Sequence, residues 1–403
     1  MARRNGGFVG QDGLDAPDPP TGVTVSGGTD GVASISFTAP SNAGTSAITG
    51  FIATASTGVG ATATSSPISV TGLTLGTAAT FRAYAVNAYG TSAASDVTSA
   101  VTPAASRGVF GGGYDPATAE LDTMEYITIA STGNVTDFGN LSVTFSQLAS
   151  ASSSTRGLFY NGVQGSSGFK HEYITISTTG NSTNFGNTAE ARRDITGFSN
   201  NTRACFAGGG NSSNNARDGI DYVTIASTGN AADFGDMAAI LANNSSTASS
   251  TRGVISNGRE GDSAATNRMQ YVTIASTGNT TDFGDSTVTA QERANGVSSS
   301  GTRGTFSGGF TNTVVNTIDY ITIASTGNAT DFGDLTAALR ESASLSSTVR
   351  GIVAGGGGND GSGVYTNVIQ YITIATTGNG SDFGDLSTSR FNFAGCSNAH
   401  GGL

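Results

Sequence analysis

Apolar and polar residues alternate in short runs along almost the whole chain. Runs such as "SISF" (Ser34–Phe37) and "YITIA" (Tyr320–Ala324) lie between clusters of Gly, Ser, Asn and Thr. A period of two bounded by turn formers specifies half-buried strands. The i, i+3, i+4 spacing of amphipathic helices is nearly missing, and Pro occurs only 7 times in 403 residues. The pattern therefore predicts an all-β chain.

Two kinds of text succeed one another. Residues 17–104 hold short alternating runs separated by turn signals, at the spacing of a β-sandwich. Residues 105–403 restate one phrase, "YITIASTGNATDFGDL" (Tyr320–Leu335), six times with small edits. Its anchors Tyr126, Tyr173, Tyr222, Tyr271, Tyr320 and Tyr371 are 47, 49, 49, 49 and 51 residues apart, and Arg107, Arg156, Arg203, Arg252, Arg303 and Arg350 keep step. A period near 48 is that of a four-stranded propeller blade. One copy reads as a small-residue strand "SASLSST", a second strand "IVAGGG", a variable loop, a third strand "VIQYITIA" and a fourth, "GSDFGDLS". The first copy opens at "RGVFGGG" (Arg107–Gly113), a second strand with no first before it. "FAGCSNAH" (Phe393–His400) aligns with the missing strand. The C-terminal segment is thus expected to close a ring of six blades, with the small-residue strands nearest the axis and Phe138, Phe185, Phe234, Phe283, Phe332 and Phe383 between blades.

Within residues 17–104, "PPTGVTV", "GLTLGTAATFRAYAVNAYG" and "SAASDVTSAVTP" resemble the first strand, the E–F corner with strand F, and the exit of a fibronectin type III domain. Phe37 stands where that family often has Trp, and Ala79 where it has the corner Tyr. The resemblance implies a spacer or adhesive module. The repeats resemble Kelch-type repeats in the Gly-Gly that ends the second strand and the aromatic in the third, although the usual Trp is missing. The phrase "TGNATDFGDL" is similar to repeat proteins of marine phages. The fold expected is a fibronectin type III β-sandwich (17–104) followed by a six-bladed Kelch-like β-propeller (105–403) closed by the C-terminal strand.

Charge narrows the partners. A formal net charge of −11 makes nucleic acid and anionic membranes poor targets, and no apolar run reaches the roughly 18 residues of a span. Two cysteines, Cys205 and Cys396, make no disulfide framework and are expected to be free thiols. Two histidines, His171 and His400, fall in different strands, and no triad, HExxH, CxxC or phosphate loop is present. No cofactor is implied. The recurrent Asp137, Asp233, Asp282, Asp331 and Asp382 have oxygens suited to calcium, but Asn184 breaks the series, which favours turn bonding. The Arg series is read as bonding turn carbonyls.

The non-repeated text lies between second and third strands, on the face opposite the Arg series. Variation confined to one face is what a binding surface shows. There Tyr114, Asp115, Arg217, Asp218, Arg259, Asp262 and Tyr365 are candidate saccharide contacts, against the plainer reading of unconstrained loops. The Gly-rich residues 1–16 carry no apolar secretory core. They are expected to be an anchoring arm, held by Arg3, Arg4, Phe8 and Val9 on other virion proteins. The combination resembles tail-fibre-like or decoration proteins of marine phages. It implies a non-enzymatic homo-oligomeric virion component, made in the host cytoplasm and released by lysis, that presents its propeller to host-surface glycans. A bacterial adhesin or lectin exported by a non-Sec route is the alternative, and a polysaccharide-acting propeller enzyme the third reading.

Overall fold

The computed structural model describes residues 15–161, 170–211, 213, 215–261, 264–358 and 365–403. Residues 1–14 of the expected arm, with Arg3, Arg4, Phe8 and Val9, and the loop residue Asp262 lie outside the described residues. The regular elements described are all strands, arranged in several sheets, none closed on itself. The chain divides into two compact units between Ala105 and Ser106.

The first unit has two sheets. One orders Thr21–Thr29, Val32–Thr38 and Ile68–Val70; the other orders Gly60–Ala63, Ile48–Ala55, Phe81–Asn87 and Gly90–Thr91. Alternation decides which side is buried. Along Phe81–Asn87 the residues Phe81, Ala83 and Ala85 are sealed in the core while Arg82 faces out. Phe37 packs on Phe51 with ring centroids 4.9 Å apart. The exit segment is irregular over residues 92–99. Its hydroxyls at every third residue take over the ladder: Ser92, Ser95 and Thr98 accept the backbone N–H groups of Ala85, Ala83 and Phe81 at 2.8–3.0 Å. Small hydroxyl residues can lie close enough to a strand edge to do this, and each buried donor is thereby satisfied.

The second unit contains six consecutive sheets. The last is built from Ala343–Ser346, Arg350–Ala354, Val368–Thr373 and Ser381–Asp385 in that order. The first sheet takes its opening strand from the far end of the chain: Ala394–Ser397 pairs antiparallel with Arg107–Gly111, Cys396 opposite Val109. Five of the six opening strands are regular and wholly buried; in the fifth sheet, residues 295–299 make only isolated bridges, where Gly296 bends the chain at φ +122°.

The repeated phrase supplies the contacts between neighbouring sheets. Each Arg donates from Nη1 to a carbonyl of the next sheet: Arg107 to Ile176, Arg156 to Ile225, Arg203 to Ile274, Arg252 to Ile323, Arg303 to Ile374 and Arg350 to Ile129. Its guanidinium lies 4.2–4.7 Å over the Tyr ring of its own sheet. Arg suits this position because one planar cation serves both the carbonyl and the ring face. The Asn of each "TGN" turn accepts a backbone N–H of the preceding sheet, as Asn181 does from Asn140 and Asn134 from Asp385, both at 3.0 Å. The Gly of "DFG" permits the close approach. A Cβ on Gly284 would sit 2.5 Å from the Gly327 carbonyl, at φ +136°. Phe138 and its equivalents are about 2% exposed and meet their Tyr partners edge-on. Each buried Phe contributes on the order of 2 kcal/mol.

A second set of contacts links the opening strands. Ser152 donates to the Ser397 carbonyl, Ser199 to Ser152, Ser246 to Gly197, Ser299 to Ala248, Ser346 to Ser299 and Ser397 to Ser346. Six steps lead back to the starting strand. Backbones this close favour small residues where the strands face one another, whereas Phe198 and Leu345 alternate into the hydrophobic core, and a buried hydroxyl needs an acceptor. Here the neighbouring carbonyl supplies it. His400 follows the closing strand Ala394–Ser397. It is buried beside Ser199 Oγ (3.4 Å) and the Ser152 carbonyl (3.3 Å), and burial lowers its pKa to about 4. Cys205 and Cys396 are buried free thiols, their pKa values pushed up by burial.

Candidate functional site

At the end of the sheets opposite the Arg series, the chain turns into each opening strand through one residue with left-handed backbone. These are Gln147, Asp194, Asn243, Glu292, Glu341 and Asn392, all with φ between 55° and 60°. Asn and Asp tolerate this region, whereas Gln and Glu hold it at a cost of about 1–2 kcal/mol. The backbone bonds among them explain why they stay there. Glu292 donates to Asn243, Glu341 to Glu292, Asn392 to Glu341 and Gln147 to Asn392, at 2.8–3.0 Å. These six residues line a cavity of about 30 Å³, room for at least one water. Beneath it Asn295 donates to the carbonyls of Leu148 and Ile195.

Three of the six carry carboxyls in a confined space. Burial raises the Asp194 pKa to about 6, with the nearby Glu292 charge adding to it and Arg193 opposing. Burial raises Glu341 to about 7, reinforced by Glu292 and opposed by Arg340. Glu292 is paired with Arg340 at 3.0 Å. Buried ion pairs brace the same segments: Arg192 with Asp221 and Arg293 with Asp319, each at 2.6 Å, and Arg390 with Glu125. Side chains flanking the ring are thus presented from a rigid base.

Beside Asn392 three aromatic rings meet. Phe391 stacks on Tyr365 with centroids 4.3 Å apart and planes 16° from parallel, and Tyr114 leans on Phe391 at 5.4 Å. The Tyr114 N–H also donates to the Phe391 carbonyl at 2.9 Å. Tyr114 is 38% exposed. Tyr114 and Tyr365 come from the first and last repeats, 251 residues apart in sequence, and the closing segment that carries Phe391 joins them.

No protein-family model matches the chain, and no curated protein matches it.

Of the seven loop residues expected from sequence, the structure brings Tyr114 and Tyr365 into one patch. Asp115 is 7% exposed, and its Oδ1 accepts the Ala117 N–H at 2.8 Å, capping a tight turn. Its short carboxylate satisfies a local donor. Arg217 pairs with Glu190 at 3.2 Å, and Asp218 is half-buried with its carbonyl accepting the Met237 N–H. Arg259 lies in Arg252–Glu260, opposite Ala242 and Ala265. None of these three is placed against the aromatic patch. Among the described residues no group of three or more His, Cys, Asp or Glu is gathered to hold a metal ion.

Sequence reasoning passed over Phe391 and the polar ring. Phe391 sits shortly before a strand that reads as structural. The ring had a visible signal, because Gln147, Asp194, Asn243, Glu292, Glu341 and Asn392 are spaced 47, 49, 49, 49 and 51, the same intervals as the Tyr anchors. An acid or amide at every copy of one position is a pattern that alternation does not weigh.

Proposed function

We propose that the second unit is a six-bladed Kelch-like propeller, that the first is a fibronectin type III spacer, and that the protein is a non-enzymatic attachment or decoration protein of a phage particle. Its loop face binds host-surface glycan. Two observations support the architecture. The inter-sheet contacts return to their start after six steps. The second strands end in Gly pairs such as Gly112–Gly113, Gly208–Gly209 and Gly355–Gly356, all at positive φ. The observation that carries the binding reading is the cluster of Tyr114, Phe391 and Tyr365 beside the polar ring. Saccharides present apolar C–H faces that stack on aromatic rings, and hydroxyls that amides and carboxylates bind.

The test has two parts. Immobilised host-surface polysaccharide should retain the protein, and Tyr114→Ala should reduce retention about tenfold, as expected for losing one stacking anchor. Equal retention of both would sink the glycan reading. Particles banded on a density gradient should carry the full chain and lose it when residues 1–16 are removed. A chain that stays at the top of the gradient would instead favour an exported adhesin.

One observation favours an enzyme acting on polysaccharide. Glu341, held near neutrality beside Glu292, has the pKa of a general acid. Release of reducing ends from the retained polysaccharide, abolished in Glu341→Gln, would establish that reading.

A further inference from the structure

The aromatic patch does not end at Tyr365. A Cβ placed on Gly357 would lie 3.2 Å from the Tyr365 ring and 4.0 Å from Cγ of Arg340, so these two side chains flank one stretch of bare backbone. The Arg340 guanidinium in turn lies 5.1 Å over the Phe310 ring. Tyr114, Phe391, Tyr365, Arg340 and Phe310 therefore form a strip that crosses from the first sheet over the sixth to the fifth. Phe391, Tyr365 and Phe310 are half-buried, which fixes their rings and leaves part of each accessible. The one cation in the strip, Arg340, is neutralised by Glu292 at 3.0 Å.

We infer that this strip is an extended subsite for a linear, uncharged oligosaccharide, with Tyr114–Phe391–Tyr365 holding one portion of the chain and Arg340–Phe310 another. The inference rests on the glycan reading above and adds to it the shape and charge of the ligand. The layout sets the length: one sugar ring covers about one aromatic side chain, whereas the strip offers aromatic surface on three successive sheets. The surroundings set the charge. Glu292 occupies the Arg340 guanidinium and Glu341 lies next to it in sequence, so a polyanion would meet carboxylates and no free cation in the strip. Rings already held by packing on one another also suit an extended polymer, because little ordering of protein side chains is needed on binding.

The experiment is titration calorimetry with neutral gluco- and manno-oligosaccharides of one to eight residues, alongside heparin oligosaccharides of matched length. Affinity for one neutral series should rise by at least about tenfold between single sugars and six residues, while the heparin series stays weaker at every length. Phe310→Ala should erase the gain from longer chains and leave short-chain binding intact. Tyr114→Ala should weaken all lengths. Arg340→Gln, which keeps the stem beside Tyr365, is the second variant should Phe310→Ala fold poorly, and it too should flatten the length dependence. Binding that is independent of length, or a heparin series that binds as well as the neutral one, would overturn the inference and leave the glycan reading standing. Absence of binding by every saccharide at every length would overturn both.

Discussion

The two ends of the six sheets in the second unit are made on opposite principles. At the Arg end the same groups meet six times: guanidinium to carbonyl, Asn to backbone N–H, Gly against a neighbouring turn. At the loop end an acid or amide in left-handed conformation and the Gly pairs after the second strands recur, while the segments between second and third strands differ from copy to copy. Identical contacts satisfied around a closed series fix shape. Variable side chains on a constant backbone leave a surface free to acquire specificity.

The largest effect expected on this comparison comes from the Arg end. Gly284→Ala places a Cβ 2.5 Å from the Gly327 carbonyl at φ +136°, where backbone must move. It should cost about 3 kcal/mol or more, read from urea unfolding monitored by circular dichroism. Gly357→Ala at the loop end has only the Tyr365 ring to displace and should cost a small fraction of that. Comparable losses at the two ends would break the distinction.

Acid is the next probe. His171 is fully buried, with neither ring nitrogen hydrogen-bonded, between Tyr160 and Phe206. Burial first, then the Arg192 charge, lowers its pKa to about 3. The unfolded chain therefore takes up a proton near pH 6.5 that the folded one refuses, and stability falls as pH drops from 6.5 toward 3. By pH 4 the loss is on the order of 3 kcal/mol. His171→Met should reduce this acid sensitivity, measured as the slope of the melting temperature between pH 7 and 4. The equivalent positions in the first and fourth repeats are already Met124 and Met269. An unchanged slope would assign the acid loss elsewhere.

Arg252→Gln removes the bond to the Ile323 carbonyl (2.9 Å) and the contact with the Tyr271 ring (4.2 Å). About 2 kcal/mol is expected, visible as a lower urea midpoint at unchanged m-value.

An effect of similar size but opposite pH dependence belongs to the polar ring. Asp194 and Glu341 hold their protons to about pH 6 and 7 in the folded state, above their ordinary ranges. Their contribution is present at low pH and lost as pH rises through those values, opposite in sign to that of His171. Glu341→Gln should raise stability at pH 8 relative to pH 5 by about 2 kcal/mol. No difference between the two pH values would show that burial does not raise the Glu341 pKa in the folded state.

Much of the fold is legible in the amino-acid sequence. Strand alternation, the interval near 48 residues and the lone second strand at Arg107 all point to all-β sheets and to pairing with residues 393–400, because each reflects a local or repeated rule. The loop face is legible as a location and poorly legible in its members. Asp115 and Tyr114 are neighbours in an equally variable stretch, yet one caps a turn and the other is exposed beside two rings.

By itself, then, the amino-acid sequence determined the strand pattern, the repeat and which residue types could serve each copy. Period and propensity act over a few residues and survive any arrangement of the whole. Only the tertiary structure decided what lies beside what at long range. Phe391 meets Tyr114 because the last opening strand pairs with Arg107–Gly111, and that pairing carries a ring from residue 391 next to one at residue 114. His400 likewise reaches a buried place between Ser152 and Ser199. Such contacts come from closing the series of sheets, a condition that no single repeat contains.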